Sequence, residues 1–396
     1  MSEGIIVVGA GARGLAFIQM LTRQLHRKVV AVVENNPDKE ELVRRRLKVI
    51  GAPNTPLVRT FAKALPFIPA GSRRVVFIMT PEWQHLPIFR QAIAADCHIF
   101  LEKPVATTRR DALEIRRLAR RSPRVVHLGF VLRFAPFYEK IKRIVDSGAL
   151  GTLVSIQMNE RLGFSHGACF HRGWHRKKRY TGGIINEKCC HDLDLLCWLK
   201  EKQSTPSKVM SFGGRNFFPH RDTPERCEEC GLRKCPWRMR LKIVDPNMLI
   251  RGALPKDPTV SDWSRCVFRS DSDVMDHQCV QIAFADGTQG VFNFVTSSST
   301  PGRDLLIHGS DGYLAGDLQT GTFTYQNYWS GRTKRVSVGA LGPHGGGDVG
   351  IVEEFLKNVA HNRKPVPGVE EGVRASLIAF AADQSVATGR AVTLRS

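Results

Sequence analysis

The chain has 396 residues, of which 58 are Lys or Arg and 37 are Asp or Glu, giving a net charge of +21 at pH 7. At roughly 150 residues per domain, this length implies two or three domains or one large elaborated α/β body, and it excludes a single small module. A hydrophobic fraction of 42% with 24% charged residues excludes a largely disordered chain, and the basic excess favours an anionic partner without saying which.

No stretch approaches the ~20 apolar residues of a membrane helix. Met1-Ser2-Glu3-Gly4 runs into an apolar segment without a basic region or a cleavage-like site, so a cytoplasmic protein is expected. Ten cysteines are too few for a disulfide scaffold in a chain this long and are expected as thiols or metal ligands.

In chain order, apolar runs at 5–8, 29–33, 75–79, 98–101 and 125–128 alternate with amphipathic stretches at 15–25, 83–95 and 110–120. This alternation predicts a doubly wound parallel sheet over residues 1–130. Gly9-Ala10-Gly11-Ala12-Arg13-Gly14 follows the first strand and opens the first helix. Glycines in that context allow a tight turn, close backbone approach to a pyrophosphate and close helix packing, which is the Rossmann dinucleotide signature. Glu34 ends the next strand, twenty residues on, where a carboxylate binds both ribose hydroxyls and repels a 2′-phosphate. NAD is therefore favoured over NADP, with Arg44, Arg45 and Arg46 as the feature pointing the other way.

After a helix at 134–147 the pattern changes. Strands at 153–159, 209–214, 280–284, 290–295 and 304–308, with turns at Asp286-Gly287 and Asp311-Gly312, predict an α+β domain over 131–396 with a large, mostly antiparallel open sheet. Helices at 349–360 and 370–388 are expected to pack back on the body. Within an irregular insertion at 215–276 that contains Pro246, Pro255 and Pro258, the pattern Cys227-(x)2-Cys230-(x)4-Cys235 followed by Cys266 offers four ligands for a structural zinc, with His220 or Cys279 as substitutes. Buried or redox-active thiols are the alternative.

Thr80-Pro81 after the third apolar run and Glu102-Lys103-Pro104 after the next are followed in order by Gly182-Gly183-(x)3-Glu187-(x)3-His191-Asp192-Leu193-Asp194 and His344-Gly345-Gly346-Gly347-Asp348. Together with the glycine loop these resemble the glucose–fructose oxidoreductase / inositol dehydrogenase (Gfo/Idh/MocA) family across essentially the whole chain. The resemblance implies an NAD(P)-dependent oxidoreductase with Lys103 as the polar anchor of the reacting hydroxyl, His191 as general base or acid, and Glu187 as a substrate hydroxyl acceptor. It also implies a homodimer or homotetramer.

The residues are consistent with those roles. Oxidising a secondary alcohol needs a base for the hydroxyl proton and a cation or donor for its oxygen; Lys103 follows a parallel strand, where α/β sheets place ligands; and Glu187 and His191, spaced i, i+4, would share a helix face. The chain departs from the family at Glu187, often Asp, and at Cys189, often Gly, so sugar stereochemistry does not transfer.

Cofactor contacts are expected from Gly9, Gly11, Ala12, Arg13, Gly14, Glu34, Thr80, Pro81, His85, Glu102 and Lys103. The resemblance places Arg133, in Gly129-Phe130-Val131-Leu132-Arg133-Phe134, at the edge of the cleft, and further substrate contacts are expected from Trp174, His175 and Lys188, within or near a basic segment 166–180 that could meet an acidic or phosphorylated sugar. The expected reaction is hydride transfer from a sugar or cyclic polyol. The alternatives are an NAD-dependent glycosidase acting through transient C3 oxidation and a non-catalytic sugar or NAD sensor. The dispersed basic residues match no nucleic-acid-binding motif, and neither specific nucleic-acid binding nor membrane association is expected.

Overall fold

The computed structural model describes residues 2–239, 263–339 and 342–394; Pro246, Pro255 and Pro258 of the insertion lie outside the described residues. Six strands form the first sheet: β1 (Glu3–Val8), β2 (Val29–Val33), β3 (Leu57–Val58), β4 (Arg73–Ile78), β5 (His98–Leu101) and β6 (Val126–Leu128). Their order is β3-β2-β1-β4-β5-β6, all parallel. The chain winds outward from β1 to β3 and then crosses back to β4, so the strand order reverses between β1 and β4. Ligand crevices of open α/β sheets form at the carboxyl ends flanking that reversal, here at Gly9 and Met79.

The strand cores carry β-branched and aromatic residues on both faces, as burial between two helix layers requires. Phe17, Phe77 and Phe100 cluster beneath the sheet, with ring centroids 5.2–6.1 Å apart. Helix Gly347–His361 closes this layer from far along the chain: Phe355 lies 5.3 Å from Phe77 and 5.5 Å from Phe100.

The second sheet has nine strands: β7 (Leu153–Gly163), β8 (Pro206–Gly214), β9 (His277–Phe284), β10 (Gln289–Ser298), β11 (Gly302–Gly309), β12 (Gly312–Asp317), β13 (Thr322–Asn327), β14 (Thr333–Ser337) and β15 (Val392–Thr393). In the order β14-β13-β12-β11-β7-β10-β9-β8-β15, every pair is antiparallel except β7 with β10. Along β7 the burial alternates from residue to residue from Ile156 onward, as expected of a sheet with one covered face. Helix Val369–Thr388 packs on β8 and on helices Cys190–Lys200 and Arg109–Arg121. No helix of the described residues is long and apolar enough to cross a membrane.

Three differences from the sequence expectation bear on the site and the second sheet. The first helix is Ala12–Gln19, continued by a π-helical turn Met20–Gln24. The helix expected to carry both Glu187 and His191 is two helices, Ile184–Glu187 and Cys190–Lys200, separated at Lys188 and Cys189. β13 and β14 were not expected because they are polar and largely solvent-facing; only Phe323 is buried in them, which leaves little hydrophobic alternation to read.

Candidate active site

A cavity of about 900 Å³ runs along the carboxyl ends of β1, β2, β4 and β5 and continues under the segment that precedes the second sheet's helices. Each glycine of the turn after β1 has its own reason to be there. Gly9 has φ +98°, and a Cβ on it would lie 2.7 Å from the Met79 carbonyl oxygen. A Cβ on Gly14 would lie 1.9 Å from the Gly9 carbonyl oxygen, so helix and turn can meet only if that residue is glycine. A Cβ on Gly11 would meet no protein atom; Gly11 lines the cavity as the N-cap of helix Ala12–Gln19, where backbone N–H groups favour an anion.

Glu34 lines the same cavity at the end of β2 and is held by N–H donors from Ala10 (3.3 Å) and Asn36 (3.0 Å), with Lys39 Nζ at 3.9 Å. Arg44 and Arg45 pair with Glu40 and Glu41, and none of Arg44, Arg45 and Arg46 lines the cavity. Thr80 Oγ1, also in the lining residues, is buried with no hydrogen-bond partner. An anion-ready turn, a ribose-height carboxylate and an unmet hydroxyl fit a dinucleotide. Arg13 lines the cavity while bridging Glu102 (2.7 Å) and Asp348 (2.7 Å), linking the end of β5 to the helix that begins at Gly347.

Lys103, Glu187, His191, Lys188, Trp174 and His175 also line this cavity. Lys103 Nζ donates to the Glu187 carbonyl oxygen at 2.9 Å. Burial by itself would lower the Lys103 ammonium, but Cys190, Glu102, Glu82 and Glu187 outweigh it and hold the group above its usual value. His191 is driven the other way, well below the ordinary imidazole range, by burial first and then by Lys103, His344, Arg303 and Lys188. It is therefore neutral at pH 7, and its Nδ1 is buried with no hydrogen-bond partner, so a neutral imidazole is what this side chain brings to the cavity. The Glu187 carboxylate is bonded to His175 Nδ1, whose ring stacks on Trp174 at 3.7 Å.

Other expected contacts lie elsewhere. Arg133 is a correction: it does not line the cavity but forms a two-pronged pair with Asp194, both bonds 2.7 Å, with both side chains almost fully buried. His85 is buried behind the segments after β4 and β5, its ring nitrogens 3.1 Å from the Thr80 carbonyl and 3.4 Å from that of Val105, and as a neutral ring it donates to one of them. Lys188 reaches the lining, yet its ammonium is paired with Glu160. In the basic segment, Arg176 and Lys177 pair with Asp271 and Lys178 with Asp383, while His171 packs against Phe218.

Sequence reasoning missed Glu82, Trp83, Trp263 and the cavity-facing role of His344. Glu82 and Trp83 directly follow Thr80-Pro81, so their proximity to a recognised segment was the available signal.

Cys227, Cys230, Cys235 and Cys266 line one small cavity of about 20 Å³ with Arg172. Cys227 N–H bonds the Ser264 carbonyl (2.8 Å) and Cys266 N–H that of Glu225 (2.7 Å), which fixes the two segments side by side. No three of the four sulfurs lie within 4.8 Å of one another; among the described residues that closeness is met only by Glu160, Cys189 and Asp192. Those two carboxylates are already neutralised by Arg303 and, at Glu160, by Lys188.

The family model for the NAD-binding Rossmann fold of the oxidoreductase family GFO/IDH/MocA matches residues 4–130, and the model for the GFO/IDH/MocA C-terminal domain matches 138–315. The Bacillus subtilis (strain 168) oxidoreductase YteT is 23% identical over 350 residues, 81% of each chain. An inositol 2-dehydrogenase of Corynebacterium glutamicum (strain R) is 28% identical over 200 residues, 49% of this chain and 52% of its own. A levoglucosan dehydrogenase in complex with NADH superposes over the whole of both chains with a TM-score of 0.74 at 18% identity. An aldose-aldose oxidoreductase from Caulobacter crescentus does so with a TM-score of 0.72 at 18%. With both of its halves matched, the chain belongs to the Gfo/Idh/MocA family of NAD-binding oxidoreductases.

Proposed function

We propose that this oxidoreductase oxidises a secondary hydroxyl of a sugar, cyclic polyol or sugar derivative. The observation that carries the reading is a single cavity whose lining includes both Gly11 and Glu34 and Lys103, Glu187 and His191. Inositol 2-dehydrogenases among the relatives and levoglucosan dehydrogenase among the structural neighbours support the substrate class. The glycine turn, Glu34 and the Thr80 hydroxyl would hold NAD, which when bound would supply the hydride acceptor. The Lys103 ammonium draws charge from the reacting oxygen, and neutral His191 takes the hydroxyl proton. Glu187, steadied by His175, accepts a hydrogen bond from a second hydroxyl and so orients the ring.

The test is NADH formation across levoglucosan, myo-inositol, free hexoses and glycosides, with Lys103→Ala and His191→Ala as controls. Loss of about 10²-fold or more in kcat for both variants is expected. Unchanged turnover of a confirmed substrate would remove these residues from the chemistry. Aglycone release without net NADH would reassign the reaction as glycoside cleavage, and NAD and sugar binding without either product would make the protein a sensor.

The remaining parts of the proposal are structural. Residues 1–130 and 131–396 are taken as the two domains, and the protein as a homodimer or homotetramer, to be sized by light scattering. Cys227, Cys230, Cys235 and Cys266 are assigned a structural zinc, which requires their sulfurs to draw together. Support comes from Arg172, a buried cation whose partners are the Arg265 and Trp237 carbonyls and Cys227 Sγ at 3.6 Å, because a buried charge calls for an opposite one. Zinc well below one equivalent in the purified protein would refute it.

A further inference from the structure

The cavity contains a carboxyl group that the mechanism above does not use. Glu82 stands on the 3-10 turn Glu82–Gln84 immediately after Pro81, only 8% of it is exposed, and it is among the residues lining the cavity. Its Oε2 is buried with no hydrogen-bond partner. The charged and titratable groups acting on it are Glu187 from helix Ile184–Glu187, His175 from the turn Trp174–Arg176, and Lys103 from the segment after β5. It therefore shares the catalytic end with another carboxylate in a site largely withdrawn from water. Two carboxylates so placed cannot both be ionised without cost, and Glu187 already has His175 to stabilise its charge.

We infer that Glu82 is a specificity-determining residue of this site: a carboxyl in the cavity lining beside Glu187 that hydrogen-bonds an uncharged oxygen of the substrate. The inference rests on the reading of the cavity as a polyol-oxidising site and adds to it. A protonated carboxyl is a donor and an acceptor at once, which matches a hydroxyl able to do both. Glu187 is acceptor-only while ionised, so the two residues divide the recognition of neighbouring hydroxyls. The protonation state follows from the surroundings: burial first, then Glu187, push the Glu82 carboxyl up to about 8, against the opposing pull of His175 and Lys103. Glu82 thus carries its proton at pH 7 and loses it in mildly alkaline solution. The ionised form then repels Glu187 and no longer donates.

The experiment compares the full-length wild type with Glu82→Gln and Glu82→Leu, using NAD with levoglucosan and with myo-inositol as probes. NAD affinity, measured by fluorescence titration, should agree within about threefold among the three proteins, because Glu82 is assigned to the substrate and not to the cofactor. For whichever probe is oxidised, Glu82→Gln should keep KM within about threefold at pH 7, since an amide also donates and accepts. Glu82→Leu should raise KM about tenfold, the size of one lost hydrogen bond with its partner left unmet. The wild type's kcat/KM should fall above about pH 8, and Glu82→Gln should lack that limb. Equal impairment of Gln and Leu, or no effect of either, would overturn the inference.

A second measurement is independent of turnover. The infrared difference spectrum of the wild type between pH 7 and pH 9 should show the C=O stretch of a protonated carboxyl being lost, and Glu82→Gln should not show it. Absence of that band from the wild type refutes a neutral Glu82 whatever the substrate. Presence of the band with neither probe oxidised, while NAD still binds, points instead to failure of the polyol reading.

Discussion

Arg133→Met separates two accounts of the same residue. As a substrate contact, the arginine would affect KM and leave stability alone; as one half of a buried pair, it does the reverse. Arg133 and Asp194 side chains are 3% and 1% exposed, and both bonds measure 2.7 Å. Removing one partner of a pair buried this deeply leaves the other charge stranded, at a cost of about 3–5 kcal/mol. At about 2 °C per kcal/mol in a large domain, the melting temperature should fall by about 6–10 °C, with KM for an accepted polyol changed by less than about twofold.

The pH dependence of that loss follows from Asp194. Its carboxyl is already raised, by burial against the counter-pull of Arg133, and without the arginine it rises further. A native carboxyl raised above its unfolded value binds more protons than the unfolded chain does, so the variant loses stability as pH increases through that window. The deficit should therefore widen from pH 5 to pH 8. Arg133→Met/Asp194→Leu should recover most of it, because the stranded charge is gone. Differential scanning fluorimetry at three pH values, run beside steady-state kinetics, measures all of this. A single variant with an unchanged melting temperature and a raised KM would refute the burial argument and return Arg133 to the cleft.

Gly14→Ala should abolish NAD binding and destabilise the fold, because its Cβ would sit 1.9 Å from the Gly9 carbonyl oxygen and backbone must move to admit it; fluorescence titration and thermal melts read both effects. Glu34→Ala should weaken NAD binding by about tenfold or more through the lost ribose bonds and narrow the preference over NADP; an unchanged NAD affinity would place the ribose elsewhere. Wild type should lose stability relative to Glu82→Gln as pH rises from about 4.5 to about 8, the interval over which the native carboxyl stays protonated and the unfolded one does not. Denaturant titrations at pH 5, 7 and 9 check that sign, and parallel curves for the two proteins would contradict it.

The nucleotide half was legible because its constraints are local. Gly9 and Gly14 are set by atoms a few residues away or across one strand, and Glu34 by the end of its own strand. The catalytic end is assembled from four separate segments, and the sequence carries their chemistry without their mutual arrangement. Spacing i, i+4 put Glu187 and His191 on one helix, whereas the chain breaks at Lys188 and Cys189 and still brings both to the cavity. Arg133 follows a family-like segment, and only tertiary packing reveals that Asp194, sixty-one residues later, takes its charge. Glu82 was passed over for a related reason: an acidic residue after Pro81 looks like any solvated turn until tertiary structure shows it buried in the same cavity as Glu187.

The net charge of +21 initially favoured an acidic substrate, and the lining of the cavity argues against one. Arg13 is committed to Glu102 and Asp348, Arg59 to Glu40 and Lys188 to Glu160. Lys103, the cation proposed to meet the reacting oxygen, has the Glu187 carboxylate and the Glu82 carboxyl acting on it. A uronate entering this end would give up its hydration and find its single carboxylate facing that of Glu187, a loss of several kcal/mol before any compensating contact. A neutral hexose or cyclitol incurs no such penalty. Neutral polyols should therefore exceed the matching uronate in kcat/KM by at least about tenfold, equivalent to about 1.4 kcal/mol, and the gap should widen above pH 8 as Glu82 ionises. Parallel assays of glucose and glucuronate at pH 7 and pH 9 measure it. A uronate turned over as well as the neutral sugar would mean that one of the internal pairs opens to receive it, with Lys188–Glu160 the first to examine by substitution.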